Sequence, residues 1–299
     1  MISSRPAAGT SSGRPQIKRK KSVYLQKAKM LYVGDSVAQS ADIAYVEKTT
    51  NTRVKTMKAY SSINDSRSRW PHKNFLDVTP KALAETNKED EYSYLVLAAP
   101  TVDISNLDTS KLTSKDNVEV FKQKIAISCE NMFFVAENAL ARCPNLKAVI
   151  IMTHAPRHDI SVIDPTGLKP KLAQYANSTF SSLWHSSAMK DKITVGKHSL
   201  NVSEDMMMAI YKDERSGRYD GVHHFGAHAK QFYTQSVLNI FKTVLPAPRI
   251  KNPTFSSTHT DQNRHKKTNN QTKTKTPNQQ SRMSFYNVPV NNKFDILGN

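Results

Sequence analysis

The chain has little cysteine and no long apolar run. Only two of its 299 residues are cysteines, Cys129 and Cys143, which excludes a disulfide framework and a cysteine-based metal site. No stretch of eighteen apolar residues occurs, and the first 29 residues contain no hydrophobic segment of signal-peptide type. These absences predict a protein without a membrane span that is intracellular, cytoplasmic or nuclear, and not secreted.

Acidic residues are absent from one end of the chain and scarce at the other. The formal net charge is +18. Residues 1–29 contain eight Lys or Arg and no acid, and residues 247–299 contain nine against two acids. We therefore predict a disordered basic tail over residues 1–29, a nearly neutral folded domain over 30–246, and a disordered tail rich in Asn, Gln, Thr and Lys over 247–299.

Flexible basic tails attract polyanions because binding releases counterions from nucleic acid. RNA or DNA is therefore a candidate partner, although such tails also keep proteins soluble or serve as nuclear addresses. The residues that would contact nucleic acid are Lys18, Arg19, Lys20, Lys21, Lys266 and Lys267.

The middle of the chain alternates short β-rich apolar runs with longer amphipathic stretches, which is typical of a parallel sheet covered by helices. The pattern predicts an α/β/α sandwich. The predicted strands are Met30–Val33, Val54–Ala59, Tyr94–Ala99, Ala148–Thr153 and Ile193–Gly196. The predicted helices are Val37–Glu47, Pro80–Lys88, Asn117–Ala141, Lys171–Met189 and Ala227–Val244.

Two short motifs carry residues suited to nucleophilic catalysis. The first predicted strand runs into Gly34-Asp35-Ser36, which places a serine hydroxyl at a strand end and a helix start, where the functional groups of parallel sheets collect. Far downstream, Asp220-Gly221-Val222-His223 puts a carboxylate three residues before an imidazole. A nucleophilic serine needs a base and a group that orients the base. We predict Ser36 as nucleophile, His223 as general base and Asp220 as the residue that orients His223.

Together, Leu31-Tyr32-Val33-Gly34-Asp35-Ser36 and Asp220-Gly221-Val222-His223 resemble the first and last motif blocks of the SGNH (GDSL-like) hydrolase family. The resemblance implies a flavodoxin-like sandwich with five parallel strands. It also implies serine esterase activity on a small or lipid-like ester, without a metal or another cofactor.

The family's oxyanion hole uses the serine backbone, a glycine after the second strand and an asparagine after the third. Here Ser61, Ser62 and Asn64 follow the second strand, and aligning Asp103 with the family's acid places Val102 where the asparagine would be. Losing one oxyanion donor reduces turnover by about a hundred- to a thousandfold. The chain is therefore expected to be a slow esterase, with Asn64 or Asn106 as candidate replacement donors.

The loop after the fourth predicted strand contains two further candidates. His154 is a rival base, and Arg157 could receive an anionic substrate or a phosphate. Alternatively, both side chains satisfy local structure. His224 and His228 have the spacing of a zinc pair, but the missing Cys and the lack of a nearby Glu favour no metal.

An esterase-like sandwich with basic flanks is also similar to the esterase-type domain of proteins from non-LTR retrotransposons. That similarity implies an alternative function, namely a catalytically silent, RNA-associated binding module of a retroelement or ribonucleoprotein. The retained Ser36, His223 and Asp220 favour the hydrolase, whereas Val102 and the charged tails favour the binding module.

Overall fold

The structure is a computed structural model that describes residues 27–63, 73–85, 91–111, 115–161, 163–198, 211–212, 216–217 and 219–246. Strands and helices alternate along them. The strands are β1 (Ala28–Gly34), β2 (Thr52–Lys58), β3 (Tyr94–Ala98), β4 (Ala148–Met152) and β5 (Ile193–Gly196). The helices are α1 (Ile43–Thr50), α2 (Phe75–Ala84), α3 (Thr101–Ser105), α4 (Lys115–Arg142), α5 (Leu168–Ser186) and α6 (Ala227–Lys242).

All five strands are parallel and lie in the order β2-β1-β3-β4-β5. The chain moves from β1 to one edge, forms β2, and returns across β1 to form β3. The order in which strands are added to the sheet therefore reverses at β1. Open parallel sheets bind ligands in the crevice at the carboxyl ends of the strands at such a point. The predicted α/β/α sandwich with a flavodoxin-like, five-stranded sheet is confirmed.

Alternating side chains of the strands build one core on each face of the sheet, because successive residues of a strand point to opposite sides. Leu31 and Val33 of β1 pack with residues of α2, α4 and α5. Met30 and Tyr32 pack with residues of α1 and α6. The central strands are buried on both faces, which explains their nearly continuous apolar sequences.

The helix predicted over Val37–Glu47 is interrupted in the structure. A short 3₁₀ turn covers Ala38–Ser40, Ala41 is extended, and α1 begins only at Ile43. The reason is Asp42, whose side chain accepts the backbone N–H of Tyr45 at 3.0 Å and so caps a new helix.

Helix α2 lies earlier than the predicted Pro80–Lys88. It begins at Phe75, because the Asn74 side chain accepts the backbone N–H of Leu76 at 2.9 Å. Pro80 therefore lies inside the helix instead of opening it. Asn74 is the sequence signal for the start of this helix, whereas Pro80 wrongly indicates a later start.

Helix α4 extends the predicted Asn117–Ala141 by a few residues. Ile125, Met132 and Ala136 are buried against the sheet, as expected if its apolar residues serve core packing. Cys129 is buried in this helix, and it and Cys143 are both free thiols. No helix in the described part of the chain is both long enough and apolar enough to cross a bilayer.

Candidate active site

The end of β1 holds Ser36 in a tightly packed turn. A side chain at Gly34 would place its Cβ 2.4 Å from the Cβ of Ala38, so only glycine allows this close return of the chain. The buried Asp35 carboxylate accepts the N–H of Val37 at 2.9 Å and that of Thr101 at 2.7 Å. Burial raises the pKa of Asp35, and these N–H groups oppose the shift. Asp35 thus ties the Ser36 turn to α3.

Ser36, His223 and Asp220 come together, although Ser36 and His223 are 187 positions apart in the chain. Ser36 Oγ lies 2.9 Å from His223 Nε2, and His223 Nδ1 lies 2.7 Å from Asp220 Oδ2. Ser36 is exposed, and the side chains of His223 and Asp220 are 35% and 15% exposed. A reactant can therefore reach the hydroxyl while the carboxylate remains shielded.

Asp220 is held ionised by its own loop. Burial alone would raise its pKa, but hydrogen bonds from the His223 ring and from the N–H groups of His223 and Val222 lower it to about 2. The two backbone N–H groups both bind Oδ1, at 2.8 Å and 2.9 Å. The other oxygen, Oδ2, is left to face the imidazole, which suits it to fix the ring orientation.

The loop with Asp220 and His223 is attached to the loop after β4 through Gly221. The N–H of His158 donates to the carbonyl of Gly221 at 2.8 Å, and the Tyr219 hydroxyl donates to the carbonyl of His158 at 3.0 Å. Gly221 has a φ of 71°, and a Cβ there would lie 1.7 Å from the His158 oxygen. Only glycine allows this backbone contact.

Ser61, Ser62 and Asp103 lie together in a buried polar cluster with Ser128. The Asp103 carboxylate accepts the hydroxyl of Ser61 and, at 2.9 Å and 2.7 Å, those of Ser62 and Ser128. It also accepts the backbone N–H of Ser62 at 3.1 Å. Burial raises the pKa of Asp103, and these donors oppose the shift. The Ser62 N–H is therefore already committed to a protein acceptor.

The segment after β2 turns from β1 toward the start of α2 at Tyr60. The N–H of Ala59 donates to the carbonyl of Gly34, whereas the N–H of Tyr60 donates to the carbonyl of Lys73. Ser61 forms an isolated bridge with Asn74, and its carbonyl accepts the N–H of Phe75. Among the described residues, neither the Ser61 nor the Ser36 N–H donates to another residue.

Val102 lies in the first turn of α3 with a partly exposed side chain, and as a valine it offers no donor group there. Asn106, the candidate replacement, is the exposed residue that ends α3. The apolar side chain at Val102 therefore leaves backbone N–H groups as the donors that this part of the site can supply.

Arg157 does not present a free guanidinium. Its Nε and Nη2 form a bidentate ion pair with Asp159 at 2.9 Å and 2.6 Å, and both side chains are almost fully buried. The same guanidinium donates to the carbonyl of Thr101 and the hydroxyl of Ser105, the two ends of α3. Arg157 thus connects α3 to the β4 loop, and its donors are used within the protein.

His154 is buried beside Phe180, with ring centroids 6.4 Å apart. Its backbone exchanges two hydrogen bonds with the Asn177 side chain. Burial, followed by the positive charge of Arg157, lowers the pKa of His154 to about 3. The imidazole that contacts Ser36 is that of His223.

Two further histidines, the half-buried His198 and the buried His224, are not catalytic candidates from the sequence. The rings of His198 and His224 stack on Tyr233, with centroids 5.2 Å and 4.5 Å apart. Burial lowers the pKa of His198 to about 3 and that of His224 to about 4. Neither ring nitrogen of His224 has a hydrogen-bond partner among the described residues. Only the tertiary structure could reveal this, because an isolated histidine gives no signal of burial.

Several predicted site residues lie outside the described residues, namely Asn64, Lys18, Arg19, Lys20, Lys21, Lys266 and Lys267. The side chain of His228 is likewise not described. Within the described part of the chain, no group of three or more His, Cys, Asp or Glu side chains is arranged to hold a metal ion.

No family model and no curated protein matches this chain. Similar solved structures include a GDSL-like lipase from Bacteroides thetaiotaomicron, at 15% identity and a TM-score of 0.45, covering 72% of this chain and 89% of that one. A phospholipase A1 from Streptomyces albidoflavus has 12% identity and a TM-score of 0.42, covering 71% and 99%. A catalytic mutant of an acetylxylan esterase from Geobacillus stearothermophilus has 12% identity and a TM-score of 0.44, covering 71% and 93%. Similarities of this size do not decide the activity, which has to be inferred from the site.

Proposed function

We propose that the protein is an SGNH-type serine hydrolase that cleaves carboxylic esters through Ser36, His223 and Asp220. The observation that carries the proposal is the continuous pair of contacts, 2.9 Å from Ser36 Oγ to His223 Nε2 and 2.7 Å from His223 Nδ1 to Asp220. Nucleophile, base and orienting carboxylate are each within hydrogen-bond reach of the next.

In this mechanism, His223 Nε2 removes the Ser36 proton as Oγ attacks the ester carbonyl. Asp220 accepts the Nδ1–H and stabilises the imidazolium that forms. The imidazolium then protonates the departing alcohol oxygen, which leaves an acyl group on Ser36. Water, deprotonated by His223, attacks the acyl carbonyl and releases the acid.

The oxyanion that forms in both steps would be bound by the N–H groups of Ser36 and Ser61. The Ser61 N–H has no acceptor among the described residues, which supports Ser61, and the use of the Ser62 N–H by Asp103 argues against Ser62. With valine at position 102, a third donor from a side chain is missing there. The expected cost is about a hundred- to a thousandfold in turnover compared with a site that has all its donors.

The test is hydrolysis of p-nitrophenyl esters of short and long acids by the full chain and its Ser36→Ala variant. Serine-dependent hydrolysis predicts loss of at least about a thousandfold in kcat/KM on removing the nucleophile. Ser182→Ala, which removes an exposed hydroxyl of α5, is the matched control and should retain full activity. A fluorophosphonate probe should label Ser36 alone.

Equal hydrolysis by the parent chain and Ser36→Ala, together with no labelling, would contradict the hydrolase. The valine at position 102 and the charge of the tails then favour the second candidate, a catalytically silent module that accompanies RNA. That candidate predicts RNA binding by the full chain that is unchanged in Ser36→Ala.

A further inference from the structure

A basic concavity lies at the amino end of the sheet, away from Ser36. Its volume is about 800 Å³, and we call it the β2-edge groove. Because Ser36 follows the opposite end of β1, the seven residues of that strand separate the two places by roughly 20 Å. The groove is lined by Lys27, Lys29, Ala44, Glu47, Lys48, Thr52, Arg53, Val54, Lys55, Glu85 and Tyr92.

The local fold concentrates cations in this groove. Helix α1 ends in a sharp turn at Asn51, whose φ is 53°, and this turn brings the last turn of α1 back beside the start of β2. Lys48 on the helix and Arg53 and Lys55 on the edge strand are all exposed. Arg53 and Lys55 are two residues apart, so they lie on one face of the strand.

The groove has an excess of positive charge, with five Lys or Arg side chains against two Glu side chains. Glu47 accepts the N–H of Val54, within the groove, at 2.6 Å, and Glu85 lies 4.0 Å from Lys81, outside it. Among the described residues, no carboxylate lies within ion-pair distance of Lys48, Arg53 or Lys55.

We propose that the β2-edge groove binds the phosphodiester backbone of a nucleic acid. Cationic side chains neutralise phosphates, and the binding energy comes from counterion release. Six more Lys or Arg precede Lys27 in the sequence, so the segment before it is also basic. The cations hold the phosphates and leave Ser36 free, so this binding is independent of ester hydrolysis.

Two features of the groove favour nucleic acid over a membrane and predict no base preference. The surface is concave, so a flat anionic bilayer would make little contact with it. Among the described residues, no large exposed apolar side chain lines the groove, so none could insert into a bilayer there. Tyr92, the aromatic residue of the groove, is only 8% exposed. It offers no face on which a base could stack, so the contacts are to phosphates, which carry no sequence information.

The experiment measures binding of a fluorescent 20-nucleotide single-stranded RNA to the full chain by polarisation over a salt series. The groove variant combines Lys48→Gln, Arg53→Gln and Lys55→Gln. The control variant combines Lys171→Gln, Lys190→Gln and Lys230→Gln, which are exposed positions elsewhere, and has the same net charge. We expect the groove variant to lose at least tenfold in affinity and the control less than threefold. The slope of log K against log salt should fall by roughly two units in the groove variant alone.

Equal losses in the two variants would overturn the proposal, because net charge or the basic tails would then account for all binding. Retained RNA binding in the groove variant would overturn it as well. So would loss of binding to phosphatidylserine vesicles without loss of RNA binding, which would assign the groove to a membrane surface. Thermal unfolding of both variants checks that each is folded, and their ester hydrolysis reports separately on the Ser36 site.

Discussion

The two ends of the parallel sheet are built on different principles. At the carboxyl end, the carboxylates of the site have fixed partners. Asp220 faces His223 at 2.7 Å, and the buried Asp35 and Asp103 carboxylates each accept several donors. At the amino end, Lys48 and Arg53 are exposed and have no described carboxylate as a partner.

This difference follows from what each end would have to do. Chemistry at a carbonyl requires atoms held within fractions of an ångström, and buried hydrogen-bonded carboxylates provide that order. Attraction of a polyanion requires charge but no single geometry. Substitutions that preserve side-chain shape should therefore severely reduce ester hydrolysis at the carboxyl end. At the amino end, removal of whole charges should change neither hydrolysis nor folding stability by much.

The largest effect is expected for Asp220→Asn, which preserves shape and removes charge. The amide cannot stabilise the imidazolium and favours the wrong ring tautomer, so kcat/KM for a p-nitrophenyl ester should fall about 10⁴-fold. The free energy of unfolding should change far less. Asp191→Asn, at an exposed carboxylate, is the control. A loss below tenfold would show that Asp220 does not orient the base.

The next prediction separates a steric clash at a glycine from the strain of its positive φ. Gly221→Ala places a methyl group against the His158 oxygen at a φ of 71°, whereas Gly217→Ala has a φ of 66° and no atom within 4 Å. Both variants bear the left-handed strain of about 1–3 kcal/mol. Only Gly221→Ala should also displace His223 and reduce ester hydrolysis. Similar activities in the two variants would show that the contact with His158 is dispensable.

Acid should lower the free energy of unfolding through three histidines that are neutral in the folded chain. His154, His198 and His224 have pKa values of about 3, 3 and 4 in the folded chain, below the ordinary value near 6.5. Between the folded and the ordinary pKa values, the unfolded chain therefore binds more protons than the folded chain. The stabilisation by the neutral rings is fully present above about pH 6.5 and is lost as the pH falls, toward 4 for His224 and toward 3 for His154 and His198, by up to about 1.4 kcal/mol per pH unit for each histidine.

Urea unfolding at pH 7 and pH 5 measures this loss. His224→Phe, which keeps the stacking on Tyr233 and cannot take up a proton, should reduce the difference between the two pH values. His185→Gln, at an exposed position, should leave the difference unchanged. A stability that is constant from pH 7 to pH 5 would contradict the burial of these rings as neutral groups.

The smallest effect is expected at the amino end. Replacing Lys48, Arg53 and Lys55 together by Gln should leave ester hydrolysis unchanged and alter the free energy of unfolding by less than about 1 kcal/mol, because exposed charges without partners contribute little. A large loss of stability would mean that these cations support the fold, and the contrast between the two ends would disappear.

Much of the fold could be predicted from local sequence, and the errors have local causes. The five predicted strands agree with the observed strands to within two residues, because buried strands have a distinct apolar pattern. The helix predicted from Pro80 begins too late, since the cap at Asn74 is a weaker signal than proline. The pattern does not predict the short helix α3, because five residues have no periodicity to detect.

For the candidate site, the sequence by itself determined the residues that could react. A serine directly after a strand and a carboxylate three residues before a histidine are local patterns, and spacing along the chain fixes local geometry. The tertiary structure decided which of these groups meet. It brought Ser36 to His223, directed the N–H of Ser62 toward Asp103, and paired Arg157 with Asp159. The direction of an N–H group and the burial of a charge depend on which strands and loops become neighbours, and no local spacing encodes that.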